Sequence, residues 1–126
     1  MSHNEDDLVY VACAFGENDP TIRELRIDLA SCFCAEKMRE GIVVFCPLIH
    51  NYYILKHGLP VGWDYWERFN SKLLKRADKL FVLKLKGWEK SVGIQAEIAL
   101  ARKYSIPIEY HEFNAPERHL TQNSLN

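Results

Sequence analysis

The sequence predicts an α/β domain, a doubly wound parallel sheet of about four to five strands between layers of helix. Three observations carry this. Short apolar runs rich in β-branched residues recur at Leu8–Cys13, Ile42–Phe45, Lys79–Leu85 and Ile106–Tyr110. Helix-like stretches separate them, at Pro20–Glu40, Trp63–Ala77 and Ser91–Tyr104. Apolar strands alternating with helices are the pattern of a parallel sheet covered on both faces. Finally, no repeat or Pro/Gly linker divides the 126 residues, a length that suits one domain.

The elements follow in order. Leu8 to Cys13 is the first buried strand, and Gly16 to Pro20 is a turn. Asp19 is placed to cap the next helix, with Pro20 at its first position. Ile22, Leu25, Leu29, Cys32 and Phe33 recur at helical spacing and predict its apolar face. Gly41 ends that helix, and Pro47 is expected to stop the second strand. Leu48 to Gly62 is the least regular stretch, with room for a short helix before the turn Gly58-Leu-Pro60. Trp66, Phe69, Leu73 and Ala77 share one face of the following helix. The third strand, the Ser91 helix and the fourth strand complete a core of about 8–110. The tail from His111 to Asn126 is polar and is expected to be partly irregular.

Composition narrows the function. Sixteen basic and seventeen acidic residues leave the chain near neutrality, which argues against a nucleic-acid-binding domain. No apolar run is long enough to span a membrane. Met1 to Asp7 is acidic and polar, unlike a secretory signal, so the expected compartment is the cytoplasm. Cys13, Cys32, Cys34 and Cys46 lie in apolar stretches and are expected to be free thiols. Cys32 and Cys34 point roughly 200° apart on a helix and cannot share an ion. Cys46 and His50 alone make a weak ligand set, so no metal or other cofactor is expected.

Right-handed crossovers place a ligand site beyond the carboxyl ends of the strands, where strand order reverses. Three loops should meet there: Cys13 to Asp19, Pro47 to His50, and Gly87 to Gly93. The last opens a helix near Ser91, and a helix N-terminus attracts anions. Ser91 adds a hydroxyl, and Gly93 allows close approach to the backbone. Glu97 lies six residues further on, a rise of roughly 9 Å, comparable to a sugar phosphate. The helix N-terminus would favour its ionised form, which suits a nucleophile. Taken alone, the segment reads more simply as an N-cap followed by an ordinary helix glutamate.

The wider pattern adds weight. Tyr10-Val-Ala-Cys-Ala-Phe15, Arg26, Gly41-Ile-Val-Val-Phe-Cys-Pro47 with His50, His57-Gly-Leu-Pro60, Trp63-Asp-Tyr-Trp-Glu-Arg-Phe69, Ala77-Asp78 and Gly87-Trp-Glu-Lys-Ser-Val-Gly-Ile-Gln-Ala-Glu97 come in order. Together they resemble the nucleoside 2-deoxyribosyltransferase-like family, closest to a branch catalogued as a domain of unknown function. The resemblance implies a flavodoxin-like, three-layer α/β/α domain that cleaves or exchanges a nucleoside or nucleotide N-glycosidic bond. It puts the nucleophile on Glu97, which would form a glycosyl-enzyme intermediate. Serine at position 91 resembles the members that take nucleoside 5′-monophosphates, since an acid there would repel the phosphate. Arg23 or Arg26 would add positive charge. Tyr10, Cys13, Phe15, His50 and Trp88 would line the site.

The resemblance also shows a departure. The family's base-side aspartate falls on Asn70, which cannot donate a proton as a carboxylic acid does. Asp64, six residues earlier, is the substitute acid if the helix turns it inward. The expected partner is therefore a small-molecule nucleotide or nucleoside, with no nucleic acid and no membrane. A homodimer or higher homo-oligomer is implied, with apolar residues of the Trp63 helix available for that contact. The alternative is a catalytically weak module that senses a nucleotide or an NAD derivative.

Overall fold

The structure, a computed structural model, describes residues 6–15 and 19–114. Its sheet contains β1 (Leu8–Ala12), β2 (Val43–Phe45), β3 (Lys79–Leu83) and β4 (Ile108–His111). All pairings are parallel, in the order β2-β1-β3-β4. The helices are α1 (Pro20–Arg39), α2 (Pro47–Leu55), α3 (Trp63–Leu74) and α4 (Val92–Lys103), with a single 3-10 turn at Trp88–Lys90. The chain winds outward from β1 to β2, then crosses back to β3 and β4. Strand order therefore reverses at β1 and β3, and the fold is a flavodoxin-like three-layer α/β/α domain.

Strand alternation divides the core in two. Val9, Val11 and Cys13, with Phe81 and Leu83, face α1, where Ala30, Phe33 and Cys34 meet them. Tyr10, Ala12 and Ala14, with Leu80 and Val82, face the other way, against Leu74 of α3 and Ile94, Ile98 and Ala101 of α4. Asp78 fixes the start of this arrangement. Its backbone N–H donates to Leu8 O at 2.8 Å, and its carboxylate accepts from Leu8 N at 2.8 Å. The Ala77-Asp78 pair is thus a clamp that sets β1 beside β3.

The capping expectation for α1 holds: Asp19 Oδ1 accepts from Thr21 N at 2.9 Å, and Pro20 opens the helix. Gly41, at φ 85°, takes the left-handed conformation that ends it. Pro47 ends β2 as expected and also opens α2, the short helix expected before the Gly58-Leu-Pro60 turn. Three expectations need correction. The buried face of α1 is Ile27, Ala30, Phe33 and Cys34, while Ile22 and Leu25 are exposed. Phe69, expected on the inner face of α3, is exposed. The fourth strand runs on to His111, beyond the expected end of the core. Residues 16–18 and 115–126, parts of the expected turn and tail, lie outside the described residues.

Candidate active site

A pocket of about 540 Å³ lies over the carboxyl ends of the strands, at the reversal of strand order. That is an ordinary size for a small-molecule site, which spans roughly 300–1,000 Å³. Its floor is the end of β1 and the residues after it, Tyr10 to Phe15. Pro47, Leu48 and Asn51 of α2 and Trp63, Trp66 and Asn70 of α3 form one wall. Gly87 and the start of α4 form another, and Arg23 and Arg26 reach in from α1. Described residues of all three expected segments line it: Cys13 to Phe15, Pro47 and Leu48, and Gly87 with Lys90 to Gly93.

Glu97 is the central feature. It is only 6% exposed, and Asn51, at 3%, is the other buried member of the polar and charged set among the described residues. Both line this pocket. A buried carboxyl is costly unless something compensates, and such groups concentrate at functional sites. Tyr10, on the last inward turn of β1, donates its hydroxyl proton to Glu97 Oε2 in a short hydrogen bond. Burial pushes the Glu97 carboxyl from 4.5 up to about 8, and the Tyr10 hydroxyl opposes that rise. The expectation that the helix N-terminus would dominate and favour ionisation is therefore overturned. Glu97 sits beyond the first turn of α4, where the dipole has weakened, and desolvation wins.

Ser91 is the N-cap of α4, its Oγ accepting from Ile94 N at 3.2 Å. The hydroxyl proton is left to donate to a ligand. Gly93 lines the pocket, but its lack of a side chain first serves Trp63. An added Cβ would lie 3.4 Å from the indole, so the ring packs across the glycine. Gly87, at φ 89°, turns the chain out of the sheet. Arg26 holds that turn against β1, donating to Phe15 O at 3.0 Å and Lys86 O at 3.1 Å. The Arg23 guanidinium lies 5.6 Å from the centre of the Phe15 ring. Cys13 lines the floor, and burial pushes its thiol up to about 12, which keeps it un-ionised and inert.

Not every expected residue converges. His50 is exposed and outside the pocket, stacked on Phe69 with ring centres 5.7 Å apart. Trp88 packs toward Tyr110 and the α3–α4 side of the core, also outside the pocket. Asp64 is exposed and does not line it, so the helix does not turn the substitute acid inward. Trp66 is both core and wall: it is buried, and its indole N–H donates to Pro60 O at 2.7 Å. Two polar lining residues escaped the sequence reading. Lys90 adds a cation beside Ser91, and Asn51 donates from Nδ2 to Asn70 Oδ1 at 3.2 Å. A basic residue just before a helix N-cap was the available signal for Lys90. Asn51 had none.

Fold and pocket define a class: a flavodoxin-like α/β domain with a buried carboxyl in the cleft at its strand ends. Residues 7–112 match the family described as domain of unknown function DUF1937, and the chain belongs to that family. A comparison with curated proteins finds no match.

Proposed function

We propose that this protein cleaves or exchanges the N-glycosidic bond of a nucleoside 5′-monophosphate, with Glu97 as nucleophile. The observation that carries the reading is the Glu97 carboxyl, buried in the wall of the pocket and held by the Tyr10 hydroxyl. Tyr10 engages one carboxylate oxygen and leaves the other to attack. Arg23, Arg26 and Lys90 also line the pocket, and Glu97 is the one acid that faces them among the described residues. That balance suits an anionic ligand. The resemblance to the nucleoside 2-deoxyribosyltransferase-like family supports the same assignment, with Ser91 donating to the phosphate.

In the first step a Glu97 oxygen bonds to the anomeric carbon, and the carbon–nitrogen bond to the base breaks. The electron pair leaves with the base. In the second step water, or a second base, attacks the same carbon and frees the carboxylate. A water proton then goes to solvent or to the departed base. The reaction would run in the cytoplasm, in a homo-oligomer; separately, no helix among the described residues is long and apolar enough to cross a membrane.

A second reading is a catalytically weak module that senses a nucleotide or an NAD derivative. Asn70 favours it, because the pocket wall carries an amide where a proton donor is expected. One experiment separates the two. Incubate the protein with ribo- and deoxyribonucleoside monophosphates, free nucleosides and NAD, and assay released base by chromatography. Release that Glu97→Ala abolishes is expected. Tight binding without release at high protein concentration would leave only the sensor.

A further inference from the structure

We infer that His50, Asn51 and Asn70 form a hydrogen-bonded chain that fixes Asn70 as a donor, so the site selects nucleotides whose base carries an oxo group, not an amine, at the purine 6 or pyrimidine 4 position. The inference rests on the proposed function and specifies its substrate class. His50 Nδ1 lies 3.1 Å from Asn51 Oδ1, and Asn51 Nδ2 donates to Asn70 Oδ1 at 3.2 Å. An amide oxygen only accepts, so His50 Nδ1 is the protonated nitrogen of its ring. Each link then sets the next. His50 occupies the Asn51 oxygen, the Asn51 amide occupies the Asn70 oxygen, and Asn70 Nδ2 has no protein partner among the described residues. Asn70 lines the pocket, so the group left for a ligand is an N–H donor.

This end of the pocket is the base end. Trp66, one helical turn before Asn70, offers flat apolar surface beside it, whereas Lys90, Ser91 and Gly93, with Trp63 packed across the glycine, lie at the start of α4. A buried polar site discriminates by leaving the wrong partner unpaired: an exocyclic amine facing the Asn70 amide would set donor against donor. The same geometry gives Asn70 a part in the chemistry without proton transfer. When the carbon–nitrogen bond breaks, the electron pair stays on the base and spreads onto its carbonyl oxygen. The Asn70 N–H donates to that oxygen, and the base takes its proton afterwards from water. Asn51 and His50 touch no substrate in this scheme and are positioning residues.

The test measures affinity in pairs that differ at one edge of the base, an oxo group beside a ring N–H in one member and an amino group beside a bare ring nitrogen in the other. Inosine and adenosine 5′-monophosphates make one pair, and uridine and cytidine 5′-monophosphates the other. Calorimetric binding in the Glu97→Ala background avoids turnover, and base release is assayed in parallel with Glu97 intact. The 6-oxo purine and the 4-oxo pyrimidine should each bind roughly tenfold or more tightly than their amino counterparts. His50→Phe keeps the stack on Phe69 at an exposed position, so folding is preserved, and should bring the ratio towards one. Asn51→Asp accepts at both oxygens, turns the Asn70 amide around and should reverse the ratio. Equal affinity within both pairs, or a ratio that survives both variants, would overturn the inference while base release leaves the N-glycosidase reading standing. Neither binding nor release with any monophosphate would overturn both.

Discussion

Replacing Glu97 by glutamine tests the physical heart of the site without needing a substrate. The Glu97 carboxyl titrates near 8 in the folded chain against 4.5 for an ordinary glutamate. The folded state therefore holds an extra proton between those two values. Stability must fall as pH rises through that window and level off above about 8. Each pH unit inside it corresponds to about 1.4 kcal/mol, so the whole effect approaches ~5 kcal/mol. A domain of this size is stabilised by roughly 5–15 kcal/mol, so the loss is large enough to measure. Glutamine keeps an oxygen for the Tyr10 hydroxyl and nearly the same shape, but it does not titrate. Urea unfolding of both proteins from pH 5 to pH 9 isolates Glu97, because all other ionisable groups are shared. The difference should swing in favour of Glu97→Gln by several kcal/mol as pH rises. Parallel stability curves would refute the claim that this carboxyl is buried and reluctant to ionise.

Other predictions follow from the same geometry. If Glu97 attacks as a carboxylate, kcat/KM should rise with pH through an apparent pKa near 8, and a profile flat from pH 6 to pH 9 would exclude that role. Tyr10→Phe removes the donor that opposes the upward shift, so the midpoint of the same profile should move above that of the parent; an unchanged midpoint would show that the hydroxyl does not tune Glu97. Ser91→Asp retains an N-cap oxygen but sets an anion beside the ligand, and should weaken monophosphate binding about tenfold or more while sparing the free nucleoside. Equal weakening of both in a titration would place the phosphate elsewhere. Arg26→Ala removes two bonds tying the β1 loop to the Gly87 turn and should lower stability by ~1–3 kcal/mol in denaturant melts.

The sheet was legible because its strands are continuous apolar runs with β-branched residues, a signal that tertiary context rarely overrides. Most helices followed by alternation, and the Asp19-Pro20 pair and Gly41 marked the ends of α1. Its buried face was misread for a functional reason. Arg23 and Arg26 stand one turn before Ile27 and Ala30, on the same stripe, and reach the pocket from there. Two cations on the inward face break the apolar periodicity, and Ile22 and Leu25 offered a false substitute. The start of α2 was ambiguous because proline both ends strands and opens helices. The site shows the limit most clearly at His50 and Asn51. A step of one residue turns a helix by about 100°, enough to put the histidine in solvent and the asparagine in the pocket. Histidine carries a chemical signal in sequence, while an asparagine within a helix carries almost none.

The charges around Glu97 bear on two difficulties of the proposed reaction, a nucleophile that resists ionisation and the lack of a carboxylic acid at position 70. Water exclusion is what raises the carboxyl, and it also strengthens every hydrogen bond a ligand makes inside. A phosphate dianion docking near Ser91 would by itself oppose ionisation of Glu97 further. Arg23, Arg26 and Lys90 line the same pocket and offset that repulsion. Three cations lining a pocket that holds one carboxyl suit a second anion better than a neutral nucleoside. The same exclusion bears on the leaving base. In a dry pocket an N–H donor such as Asn70 stabilises a departing anion far better than it would in water. A base that already delocalises its charge then has less need of a carboxylic acid. Under the proposed reaction, Asn70 and the elevated Glu97 would then act together, with ligand charge and base type deciding whether the site works.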